Sequence, residues 1–288
     1  MNKIRKIVSL ALAVICTSLV GNGEITHAKE QYGNDATQEL IKLYPEFKES
    51  IEKDTTGKLV DSSEVYVKLI EHEDSEQLSR YSLDNLEDDY EVEYYTREEF
   101  EQEYSPISTY AIGALEKDSC SWLRLDLQVY YGNGISDYMA YNFCSWITSP
   151  KFRFTDGIGI SVSSGMVISG DVTSRHATYK CANPYLEFGS TERLAVTINE
   201  GGNGVLATAG LQPFSVMQAF PNLKEYHNFM IQTGVSYNGS GVNKGWITGS
   251  YLHKQISIGG IGMDSNGIPN LSIAGSCDRT KGSIAVSR

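Results

Sequence analysis

From Pro106 to Arg288 the chain is written in short apolar and polar alternations broken by glycine turns, a pattern that points to antiparallel sheet. Leu123-Arg124-Leu125-Asp126-Leu127-Gln128-Val129 alternates strictly, the period of a strand with one buried face. Tyr131-Gly132-Asn133-Gly134 supplies residues that tolerate positive φ, and Met139, Tyr141 and Phe143 resume the alternation, so a hairpin is predicted. Further strands are predicted at 152–154, 158–162, 166–168, 194–198, 229–231, 246–258, 271–273 and 283–286, and a helical turn within Gln218 to Tyr226. Asn203-Gly204, Asn238-Gly239 and Asn266-Gly267 punctuate these runs. The fold class expected is mainly β: an antiparallel β-sandwich or jelly-roll-like domain. A small acidic α+β or partly disordered segment is expected to precede it.

Charge marks the boundary between the two. Residues 29–105 hold 23 Asp and Glu against 8 Lys and Arg, whereas 106–288 hold 12 against 13. Of the 27 glycines, 23 fall after residue 105. The acidic segment still carries local signals. Asn34 or Asp35 is placed to cap a helix through Leu40, Ile41 and Tyr44 that stops at Pro45. Glu64 to Leu69 and Glu91 to Tyr94 alternate like strands, and Thr96 with Glu99 forms a capping box for a helix to Tyr104. Its position before a cysteine-bearing domain reads as propeptide-like, with a solvated spacer or a permanent small subdomain as the alternative.

Residues 1–28 read as a signal peptide. Lys3, Arg5 and Lys6 precede an apolar run from Ile7 to Val20 that is too short to span a bilayer, and Thr26-His27-Ala28 places cleavage after Ala28. Ile15 before Cys16 argues against a lipid anchor, and no later run is long enough to cross a membrane. The expectation is a secreted protein, extracellular or associated with the cell surface, without a stable membrane anchor. An oxidising compartment then favours disulfides among Cys120, Cys144, Cys181 and Cys277, with Cys120–Cys144 and Cys181–Cys277 the preferred pairing.

Catalytic signals are sparse. His176, His227 and His253 are the candidates for a general base, beside Asp171, Glu225 or Asp278, if the sheet brings them together. His72 lies in the acidic segment without a second metal-binding histidine, and Asn238-Gly239-Ser240-Gly241 lacks the full nucleophile-elbow spacing. No phosphate loop, dinucleotide fingerprint or zinc spacing occurs, so neither cofactor nor metal is expected. The alternating stretch 157–170 resembles an amphipathic hairpin of a β-type pore, but its arms fall short of the roughly 9–11 residues a crossing strand needs, and sheet core is the better explanation. Trp122, Trp146, Trp246 and Tyr251 are candidates for a binding platform. A net charge of −12 without a basic stripe argues against nucleic acid. The expected role is a binding or interaction protein for an extracellular glycan, cell wall or protein. A secreted hydrolase made as a zymogen is the alternative, with a pore-forming or antibacterial toxin third.

Overall fold

Fourteen strands are described, and twelve of them form two antiparallel sheets packed face to face. The computed structural model describes residues 37–38, 40–54, 58–71, 90–104, 120–132, 134–150, 155–182, 185–211, 224–239, 241–254, 261–271 and 277–288. The signal segment, His72 and the strand expected at 152–154 lie outside the described residues. In chain order the strands are β1 (Leu59–Glu71), β2 (Tyr90–Tyr95), β3 (Cys120–Tyr131), β4 (Tyr138–Trp146), β5 (Thr155–Val162), β6 (Met166–Ala182) and β7 (Tyr185–Arg193). They continue as β8 (Val196–Ile198), β9 (Gly204–Gly210), β10 (Lys224–Tyr237), β11 (Lys244–Lys254), β12 (Ile261–Met263), β13 (Pro269–Leu271) and β14 (Cys277–Ser287). The larger sheet runs β2-β1-β3-β4-β10-β6-β7 and the smaller β14-β11-β5-β9-β8, with β12 and β13 a separate pair.

The alternation that pointed to sheet also builds the core. Leu123, Leu125, Leu127 and Val129 on β3 meet Ile158, Ile160 and Val162 on β5, Val205 and Ala207 on β9, and Ile284 and Val286 on β14. The hairpin expected between β3 and β4 forms, with Leu125 opposite Cys144 and Tyr131 opposite Tyr138, and Gly134 takes the positive φ its turn requires. Asn142 of β4 crosses the interior, where its Nδ2 donates to the carbonyls of Gly159 and Ser250 at 3.0 and 3.1 Å. The sheets approach this closely because Gly249 has no Cβ; one placed there would lie 2.5 Å from Asn142 Oδ1.

The acidic segment is part of this sandwich. β1 pairs antiparallel with β3 from Leu59 to Ile70 and with β2 from Tyr66 to Glu71, so both strands lie in the larger sheet. Val67 and Leu69 join the inter-sheet core. On the outer face of that sheet, helical residues 40–43, a 3₁₀ turn (Pro45–Phe47) with Tyr44 at its N-cap and α1 (Lys48–Asp54) bring Leu40, Tyr44, Phe47 and Ile51 onto Tyr130, Met139, Tyr141, Phe143 and Met230. The Tyr44 and Phe143 rings stack at 4.5 Å, and Tyr44 donates its hydroxyl to Asp126, which also accepts from Arg124. α2 (Arg97–Tyr104) begins with the expected capping box: Glu99 N–H donates to Thr96 Oγ1, and Thr96 N–H to Glu99 Oε2. The Phe100 ring then stacks on Tyr66 at 4.3 Å and meets Trp122 edge-on.

Sheet core, the preferred reading of residues 157–170 over a pore-type hairpin, is what forms: Ile158, Ile160 and Val162 lie in the core, and β5 is in the smaller sheet and β6 in the larger, so the connection crosses the sandwich. Of the stretch Gln218 to Tyr226 expected to hold a helical turn, residues 218–223 lie outside the described residues and Lys224 to Tyr226 begins β10. The expected Cys120–Cys144 disulfide is corrected, since Cys144 is a free, buried cysteine. Its register partner is Leu125, which places Cys120 about 16 Å away along β3 at a strand rise of about 3.3 Å per residue, far beyond disulfide reach. The side chains of Cys120, Cys181 and Cys277 lie outside the described residues.

Gly249→Ala is expected to destabilise the fold by about 1–3 kcal/mol, the range for overpacking a close-packed core. Chemical denaturation would show this as a lower midpoint at unchanged m-value, and an unchanged midpoint would contradict the close approach.

Candidate functional site

Of the three histidines singled out in the sequence, His176 and His227 meet, and all three lie inside the sandwich. His176 sits on β6, His227 on β10 and His253 on β11, each on the inward phase of its strand and at most 4% exposed. His176 Nε2 lies 3.0 Å from His227 Nδ1, and its ring stacks on Phe229 at 4.5 Å. Its Nδ1 lies 2.8 Å from Glu192 Oε1, a carboxylate 61% exposed on the edge strand β7. With Glu192 ionised, Nδ1–H of His176 donates to it, which leaves Nε2 to accept from His227 Nδ1–H.

Asp156 anchors the other half. It is fully buried on β5, and His253 Nδ1 lies 3.0 and 3.1 Å from its two oxygens. Tyr251 donates its hydroxyl to the same carboxylate and accepts from Trp146 Nε1 at 2.8 Å. The Trp146 ring meets His253 edge-on at 4.7 Å. The carboxylates beside the histidines are thus Asp156 and Glu192, not Asp171, which lines a cavity on the outer face. The side chains of Glu225 and Asp278 lie outside the described residues. Asp156 had a readable signal, since it stands in phase with Ile158, Ile160 and Val162 on the buried side of its strand.

This arrangement is a buried polar seam, hydrogen-bonded at most of its atoms. Burial holds the His176 imidazole below its ordinary value, opposed by the pull of Glu192. Burial, reinforced by Asp156, pushes the neighbouring Cys144 thiol and the Tyr251 phenol well up. A thiol kept neutral is a poor nucleophile, and no cavity found among the described residues is lined by these groups.

The four aromatic candidates separate cleanly. Trp122 and Tyr251 are fully buried and Trp146 is 2% exposed, whereas Trp246 is 55% exposed on the outer face of the smaller sheet. Trp246 lies opposite Ala285 on β14, and the next pair on that face, Thr248 and Ser283, shares a hydroxyl hydrogen bond of 2.8 Å. Thr248 is also the register partner of Ser161, and Ser161 of Gly204, so small residues cross the sheet in one row of about 14 Å at ordinary strand spacing. Beyond Gly204 the turn at 199–201 and the 263–265 segment bound a groove of about 540 Å³, lined by Thr197, Ile198, Glu200 and Met263 among others.

No family model matches the chain, and no curated protein matches it. Among solved structures it is similar to a collagen-binding domain from a Staphylococcus aureus adhesin at 8% identity and a TM-score of 0.25, over 52% of this chain and 88% of that one. The collagen-binding subdomain of the Enterococcus faecalis surface protein ACE gives 7% and 0.26 over the same shares. A pore-forming protein gives 7% and 0.24 over 58% of this chain and 86% of that one. Superpositions this loose carry no inference about role.

Because folding keeps His176 neutral, the unfolded chain takes up its proton first as pH falls. The stabilisation is complete above the unfolded value near 6.5 and is lost as pH drops from there through the lower folded value. The thermal midpoint is therefore expected to decline below pH 6.5, with a shallower decline in His176→Gln; identical slopes would contradict a buried neutral imidazole. Alkylation followed by peptide mapping is expected to leave Cys144 unmodified in the native protein and modified after denaturation. Modification under native conditions would contradict its burial.

Proposed function

We propose that this chain is a secreted β-sandwich binding protein, with the outer face of its smaller sheet around Trp246 as the contact surface and an extracellular glycan as the target. The observation that carries this reading is a large indole left 55% exposed beside a register partner, Ala285, too small to cover it. An exposed flat ring offers its π-face to the C–H face of a sugar, and the adjoining Thr248 and Ser283 hydroxyls supply both donors and acceptors. The groove beyond Gly204 adds the carboxylate of Glu200. Catalysis is less well supported, because His176, His227, His253 and Asp156 all lie inside the core.

Export follows in this reading from removal of residues 1–28, and the acidic segment stays with the mature protein as a structural part of it. Its support is the pairing of β1 with β3 and the aromatic packing of Tyr44 and Phe47 on Phe143. The secreted protein is expected to have an intact mass beginning at Lys29; a mature form beginning after residue 105 would contradict retention.

Affinity electrophoresis through gels containing soluble polysaccharides, with sedimentation on insoluble cell-wall glycan, tests the contact face. Trp246→Ala is expected to keep the wild-type melting curve and to weaken binding by about tenfold or more, as for an aromatic anchor. Binding equal to wild type, or no retardation of the wild type on any glycan, would overturn the assignment.

A further inference from the structure

We propose a second binding site, for an oxyanion ester, on the opposite side of the molecule, where Arg175 of β6 and Arg193 of β7 face each other across the edge of the larger sheet. The two are direct register partners, which places both guanidiniums on one face of the sheet. Together with Thr173 and Asp171 they line a cavity of about 380 Å³. Arg175 is half-buried and held by its Nε donating to Ser50 Oγ of α1 at 3.1 Å, which fixes the direction of its fork. Arg193 is exposed.

Neither guanidinium has a carboxylate within ion-pair distance among the described residues, although the chain carries a net charge of −12. Other cations do find partners, as Arg97 does with Glu64 and Arg124 with Asp126. Like charges placed directly opposite each other in a sheet cost stability, so an unneutralised arginine pair in a strongly acidic protein calls for an anion from outside. Two planar forks converging on one cavity suit the tetrahedral oxygens of a phosphate or sulfate group, each guanidinium giving paired N–H donors, with the Thr173 hydroxyl as a further donor. Asp171 leaves the cavity with one net positive charge, which fits a single ester group and disfavours a dense polyanion.

Phosphate and sulfate esters both occur on extracellular polymers, and the experiment separates them. The full mature chain is titrated by calorimetry with inorganic phosphate, inorganic sulfate, glycerol 3-phosphate and glucose 6-sulfate, and melting is followed in parallel. Saturable binding of at least one ester is expected, together with a rise in the wild-type midpoint. The phosphate and sulfate arms identify the source by which of them binds more tightly. Arg193→Gln is expected to fold with an unliganded midpoint at or above wild type, because a like-charge contact is gone, and to lose about tenfold or more in affinity. Arg175→Lys keeps the charge but not the fork and is expected to weaken binding too. Absence of saturable binding in every arm, equal binding by Arg193→Gln, or a lower unliganded midpoint for that variant would each overturn the site.

Discussion

The pairing of β1 with β3 is the constraint on which the rest of the structure depends. β3 carries Leu123, Leu125, Leu127 and Val129 on its inner phase and Trp122, Arg124, Asp126 and Tyr130 on its outer phase, and both sets need cover. The smaller sheet covers the first. The second is covered by the acidic segment, which β1 holds in place: Tyr44 caps Asp126, Arg124 lies over the Tyr44 ring, and Phe100 closes on Trp122. A charge-rich segment finds a place in the fold because its few apolar residues are divided between that face and the inter-sheet core, which Val67 and Leu69 join.

The interior shows the same economy with polar groups. Asn142, Asp156, His176, His227 and His253 all occupy inward positions, where an unsatisfied polar atom is costly. They settle that cost largely among themselves and against backbone carbonyls of the facing sheet, which fixes how the two sheets meet. With these titratable groups committed inside, the outer faces carry the exposed Trp246 on one sheet and the arginine pair on the other, the two surfaces proposed for recognition.

Much of this was legible in the chain. Period-two alternation found β3, β4 and the inner part of β1, and the Thr96 to Glu99 spacing found the start of α2, because both signals are local. Which sheet a strand joins is not local. The Ser-Gly turn at 164–165 looks the same whether the chain doubles back in one sheet or passes to the other, so the sequence shows buried strands on either side of it but not the crossover from β5 to β6. β7 and β9 went unnoticed because Glu187, Ser190, Thr191 and the small residues of 204–210 lack a strong alternation. The acidic composition drew a boundary near residue 105 that hydrogen bonding between β1 and β3 bridges. The meeting of His176 and His227 was open to guesswork, but an Asp in phase with Ile158 and Ile160 was a specific sign of the buried seam.

Hydrogen exchange of the mature protein tests most directly whether the acidic segment and the glycine-rich region are one fold. Amides of β1, from Leu59 to Ile70, are expected to exchange as slowly as those of β3 and β4 and to open with them in a single cooperative step. Fast exchange across residues 59–71 beside a protected β3, β4 and β10 would contradict it.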